Sequence, residues 1–144
     1  NMATNYETYE SNGLVKDEND VEYSFDPALI EQQGQSLNVV LESRLCDAGL
    51  AKFNSFDEKP TYKALRKIFR DQCANTEDFL SPQHPILESV VRLLLSSKAD
   101  SMKLDEIHTK ISALWLTSTW PRHMSKESMR KVLNNAKSYG ISKV

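Results

Sequence analysis

Apolar residues along this chain recur at intervals of three and four, and the stretches that carry this period are separated by polar, proline-marked breaks. Leu37, Leu41, Leu45 and Ala48 form one stripe with Val40 beside it, and Asp26 followed by Pro27 has the composition of a helix start. Gly49 before Leu50 reads as a glycine C-cap with its hydrophobic partner, so the pattern predicts a helix over 27–48, with Gly34 marking a kink or a break. Pro60 opens a second helix, 60–74, whose buried stripe is Tyr62, Leu65, Phe69 and Cys73. Pro85 opens a third, "PILESVVRLLLSSK", apolar on nearly every side and therefore expected at the centre of the core. Leu104, Ile107, Ile111, Leu114 and Trp115 predict a fourth over 104–118, with "MKL" ahead of it as a small strand or a helix entry. Ser125 caps a fifth, 126–139, with Met129, Val132, Leu133, Ala136 and Tyr139 inward and Gly140 just past its end. No stretch alternates convincingly over six residues, so strand content should be low. The expected fold is an all-α domain of about five helices.

Residues 1–24 break the helical pattern, having few aliphatics and no sustained period. Val21, Tyr23 and Phe25 do alternate with polar residues, which would suit a short extended piece. Residues 1–25 are read as an acidic, disordered leader and 26–144 as one helical domain. Asn1, ahead of Met2, is set aside as a cloning remnant. Charge follows the same division. Residues 1–31 hold eight acids and one base, a net −7, which leaves the rest of the chain at +5 against a total of −2. A mildly basic module with an acidic tail fits a nucleic-acid binder whose tail competes for its surface, or simply a solvated tail.

Composition narrows the chemistry. No apolar run approaches the roughly 18 residues of a bilayer span, and the start lacks the cationic and apolar regions of a signal peptide. A cytoplasmic protein is expected, or a nuclear one in a eukaryote. Cys46 and Cys73 sit among helix-forming apolar residues and read as free thiols, with a disulfide as the lesser alternative. His84, His108 and His123 have no metal spacing, and Asp105 with His108 would need further ligands. The 4 glycines are isolated, so no phosphate loop is present, and no serine or cysteine has the setting of a nucleophile. No enzyme, no catalytic residue, no cofactor and no metal site is expected. Trp115 falls on a core stripe, and Trp120, beside Pro121 and Arg122, is read as packed too, or as a loop anchor.

Residues 84–144 resemble a winged-helix or helix-turn-helix DNA-binding domain. The likeness rests on Leu104, Ile107 and Ile111 in a helix entered from "MK", then on Ser125, Met129, Leu133, Ala136, Gly140 and Ile141 in a second helix. The linker "TSTWPRHM" is longer than a tight turn, and only "ISKV" follows Gly140 where a wing needs a hairpin of roughly ten more residues. The resemblance implies a wingless variant or a trimmed chain that reads the major groove with helix 126–139, in the manner of a transcriptional regulator. Glu127, Arg130, Lys131 and Asn134 share the outer face of that helix. Arg130 could pair with guanine and Asn134 with adenine, while Ser125, Lys126, Arg122 and Lys137 could meet phosphates nearby. Lys63, Arg66, Lys67 and Arg70 form a second cationic stripe, a candidate for further phosphate contacts. Two copies could pair through helix 27–48 and set two readers one DNA turn apart. The alternative is a non-enzymatic adaptor on the same fold whose basic helices meet an acidic protein partner.

Overall fold

The computed structural model of the protein describes residues 21–144; the expectation of a disordered leader over residues 1–20 lies outside the described residues. The fold is mixed rather than all-α, which corrects the sequence expectation: among the described residues seven α-helices pack against a three-stranded antiparallel sheet. The first element is a strand, β1 (Glu22–Phe25), inside the segment expected to be leader. It is the middle strand. On one side it pairs with β2 (Met102–Lys103), Tyr23 opposite Met102; on the other with β3 (Ile141–Lys143), Phe25 opposite Ile141. The alternation of the sequence sets its faces, since Tyr23 and Phe25 are buried while Glu22 and Ser24 are half-buried. Backbone bonds extend the pairing, from Leu104 N to Val21 O (2.8 Å) and from Val144 N to Glu22 O (2.9 Å).

The helix expected over 27–48 is three short ones, each with its own cap. α1 (Pro27–Glu31) starts where Asp26 Oδ1 accepts from Ala28 N, α2 (Leu37–Glu42) where Ser36 Oγ accepts from Val39 N, and α3 (Asp47–Asn54) where Cys46 Sγ accepts from Gly49 N. Gly34, at φ +78, turns the chain between the first two. Gly49 is inside α3 rather than at a helix end, and it is there for closeness: a Cβ would stand 2.6 Å from Cys73 Sγ. Cys46 and Cys73 are both free thiols, and burial of Cys73 pushes its thiol up to about 12.

α4 (Tyr62–Ile68), capped by Thr61, passes into a single π-helical turn over Phe69–Cys73. α5 (Ile86–Ser96) occupies the centre of the core as its composition predicts, with Val90, Val91, Leu94 and Leu95 buried. α6 (Leu104–Trp115) buries Leu104, Ile107, Ile111 and Trp115. α7 (Lys126–Leu133) is capped by the Ser125 hydroxyl, which accepts from Ser128 N, but it stops six residues short of expectation. Asn134 and Asn135 end it, the chain tightens into a 3-10 turn over Lys137–Tyr139, and Gly140 follows at φ +83. Asparagines bond readily to nearby backbone, and Asn135 Nδ2 does so here, donating to Lys131 O (2.9 Å).

Gly140 takes a left-handed conformation against Phe25, whose Cε1 would lie 2.7 Å from an added Cβ. Gly34 is also left-handed, yet nothing lies within 4 Å of its Cβ direction. Gly140→Ala should therefore cost about 2 kcal/mol, combining backbone strain with displacement of Phe25, and Gly34→Ala about 1 kcal/mol from the backbone alone. Urea unfolding of the two variants side by side checks this difference.

Candidate nucleic-acid interface

The residues expected to touch DNA lie on and around α7, and the structure ties most of them into local contacts. Ser125 is spent on the helix cap, its hydroxyl also lying 3.0 Å from Ser128 Oγ. Lys126 Nζ reaches back to α6 and pairs with Asp105 Oδ1 at 2.6 Å. This lysine holds the Asp105 carboxyl below the usual carboxylate range. Glu127 and Arg130 form a fork on the outer face, with Arg130 Nε and Nη2 at 2.8 and 2.6 Å from Glu127 Oε1. The guanidinium keeps the Glu127 carboxyl below its ordinary value. Lys131 and Lys137 are exposed.

Asn134, at the end of α7, accepts on Oδ1 from the Tyr23 hydroxyl at 2.7 Å. One of the two lone pairs of that oxygen is thereby used, and a bidentate adenine contact would have to draw on the other. Burial raises the Tyr23 hydroxyl above its ordinary pKa, although the nearby Arg130 charge works the other way, so it stays a donor at neutral pH. Sequence reasoning missed Tyr23 as a neighbour of this surface. Its only local sign was the alternation of Val21, Tyr23 and Phe25.

Arg122 precedes α7 and, though exposed, folds back over Trp115. Its guanidinium lies 4.5 Å above the Trp115 ring and donates to the carbonyls of Pro82 and His84, each at 2.9 Å. It anchors the loop between α6 and α7. His108 contributes from α6, with Nε2 2.8 Å from Met124 O. Trp120 departs from the expectation of packing, being 84% exposed against 2% for Trp115.

The second cationic stripe divides. Arg66 caps the end of α5, its guanidinium donating to the carbonyls of Leu95, Ser97 and Ala99 and pairing with Asp100. With its side chain 12% exposed, it holds the fold at this helix end. Lys67 pairs with Asp71 at 2.8 Å, and Arg70 lies 3.8 Å from the same carboxylate. Lys63, Lys67, Arg70 and Lys98 nevertheless share the lining of one open groove of about 610 Å3 with Tyr62 on its wall. Burial pushes the Tyr62 hydroxyl up to about 12. Lys98 is the member of this groove that the sequence stripe did not include.

The helix that was to pair two copies does not exist as one element. Val39 stays 63% exposed on α2, but six residues of helix give no seam of the expected length. Among the described residues no helix is long and apolar enough to cross a membrane, and no three His, Cys, Asp or Glu side chains gather to hold a metal ion. No protein-family model matches the chain, and the searches of curated proteins and of solved structures return no match.

Proposed function

We propose that the protein binds double-stranded DNA with the outer face of α7 toward the major groove, in the manner of a transcriptional regulator. The observation that carries this reading is topological. Strand β2, helices α6 and α7, and strand β3 follow one another in the order that the winged-helix resemblance implies. β3 pairs antiparallel with β1, from the other end of the described chain, which keeps it in the sheet beside α7.

Charge supports the same face. Residues 98–144 carry nine bases and four acids. Lys131 and Lys137 project into solvent, and Arg130 is paired with Glu127 beside them. Base readout is narrower than the sequence implied, because Asn134 already serves Tyr23. Phosphate contact, which depends less on one fixed geometry, supplies most of the affinity.

Fluorescence anisotropy of a labelled random duplex across a salt series tests this. With Lys126, Arg130, Lys131 and Lys137 near phosphates, log affinity should fall against log salt with a slope of about −3 to −4. Lys131→Ala should reduce that slope by about 1, and Arg130→Ala combined with Lys131→Ala should remove the shift at moderate salt. Absence of duplex binding at low salt would sink the proposal and leave the adaptor with an acidic protein partner in front.

A further inference from the structure

The loop between α6 and α7 is pinned on both sides of its most exposed residue. Before Trp120, Ser118 Oγ accepts from Trp120 N at 3.2 Å and Thr117 Oγ1 donates to Leu114 O at 2.7 Å. After it, Arg122 is clamped between the Trp115 ring and the carbonyls of Pro82 and His84, and Met124 O meets His108. The indole between these anchors is 84% exposed. A loop merely needing an anchor would bury that ring, since an indole is the largest apolar surface the loop owns. Here Arg122 does the anchoring and the indole is held out.

Beside the ring is a groove of about 500 Å3, lined by Pro82, Gln83, Ser118, Thr119, Trp120 and Arg122. Its lining sets one flat aromatic face among an amide, two hydroxyls and a guanidinium. No carboxylate lines it, and among the described residues Arg122 donates to carbonyl oxygens, so its positive charge is not cancelled there. An aliphatic side chain would use the indole alone and leave the amide, hydroxyls and guanidinium to water. A nucleobase stacks on the indole, meets the amide and hydroxyls with its edge, and brings a phosphate toward the cation. Trp120 and the Ser125 cap of α7 are five positions apart, at most about 18 Å of chain.

We propose that Trp120 and the adjoining groove form a stacking site for one unpaired nucleobase of the nucleic acid that α7 contacts. This rests on the DNA-binding reading. One exposed indole serves one base, displaced from a duplex or carried by a single strand, so the site marks locally opened DNA as the preferred ligand.

The test uses the full chain, a random-sequence duplex, the same duplex with one extrahelical base, and a single strand of the same length. Anisotropy gives affinity and tryptophan emission reports the ring, with buried Trp115 as the blue-shifted internal reference. The extrahelical base and the single strand should quench the red-shifted Trp120 component, and the perfect duplex should not. Trp120→Ala should weaken binding of the opened ligands roughly 10-fold and leave the perfect duplex unchanged. Trp120→Phe should restore most of the loss. If the duplexes bind alike, with no quenching and no effect of Trp120→Ala, the stacking site is refuted while the DNA-binding reading stands. If no nucleic acid of any form binds, both are refuted.

Discussion

Tyr23→Ala should destabilise the protein by about 4 kcal/mol, the range for removing a buried aromatic ring from a core, although residue 23 sits in a stretch that composition marks as tail. Its side chain is fully buried, and its backbone is in register with Met102 on one side and Lys143 on the other. The substitution empties the space under the sheet and also removes the partner of the Asn134 carbonyl oxygen. Tyr23→Phe keeps the ring and loses the bond alone, so it should cost about 1 kcal/mol. Asn134→Ala should cost a similar amount, and the two should be non-additive, because each removes the same bond. Guanidinium unfolding of the three variants and the double variant measures all of this. A Tyr23→Ala cost below about 1 kcal/mol would mean that β1 does not hold the sheet together.

The reason the sequence hid this strand is physical. β1, β2 and β3 have four, two and three residues, too few for a period of two to rise above chance. What makes β1 a strand is its pairing with residues about 80 and 120 positions away, which no local window contains. The helix interiors were legible for the opposite reason. Ile107, Ile111 and Trp115 lie on one face whatever surrounds them, and Asp26 and Ser125 announce their helices by bonding to their own backbone. The break of 27–48 into three was half legible. Gly34 flagged one joint, but at the other the cap is the Cys46 thiol, a residue type that carries little capping signal, while Leu41 and Leu45 kept the stripe unbroken.

The candidate site shows a similar division. Shared faces were readable in part: Lys131 is exposed on α7 and Lys63, Lys67 and Arg70 line one groove, while Lys137 falls in the 3-10 turn past the end of the helix. Destinations were not. Arg66 has the spacing of its neighbours, yet it donates to three carbonyls at and just beyond the end of α5 and pairs with Asp100, and only the fold brings these groups to it. Trp120 was read as packed or as a loop anchor, but the structure has Arg122 doing the anchoring while the indole stands in solvent.

Glu88→Gln should cost about 3 kcal/mol at neutral pH, the lower end for breaking a buried ion pair. Glu88, in the first turn of α5, accepts from Arg44 Nε at 2.7 Å and Arg92 Nε at 2.8 Å, and the three side chains are only 14–18% exposed. Arg44, between α2 and α3, also donates to Val40 O, and Arg92 lies 5.3 Å above the Phe79 ring and donates to Phe79 O. One carboxylate therefore clamps the N-terminal helices and the 75–84 loop to the central helix. Removing its charge leaves two cations facing each other in a half-dry site, and the amide can accept but not neutralise. Burial works to raise the Glu88 pKa, yet the hydrogen bonds and charges of the two arginines outweigh it and the carboxyl ends below its ordinary value. A depressed folded pKa gives stability that is fully present above the unfolded value, about 4.3 for Glu, and is lost as pH falls through the folded one. The gap between the native protein and Glu88→Gln should thus be constant from neutrality down to about pH 5 and narrow progressively in stronger acid, as pH falls through the depressed folded pKa. Chemical denaturation of both across that range is the check. A gap that persists unchanged in acid would mean that shape, not charge, is what Glu88 contributes, and a gap absent at pH 7 would mean that the clamp holds nothing.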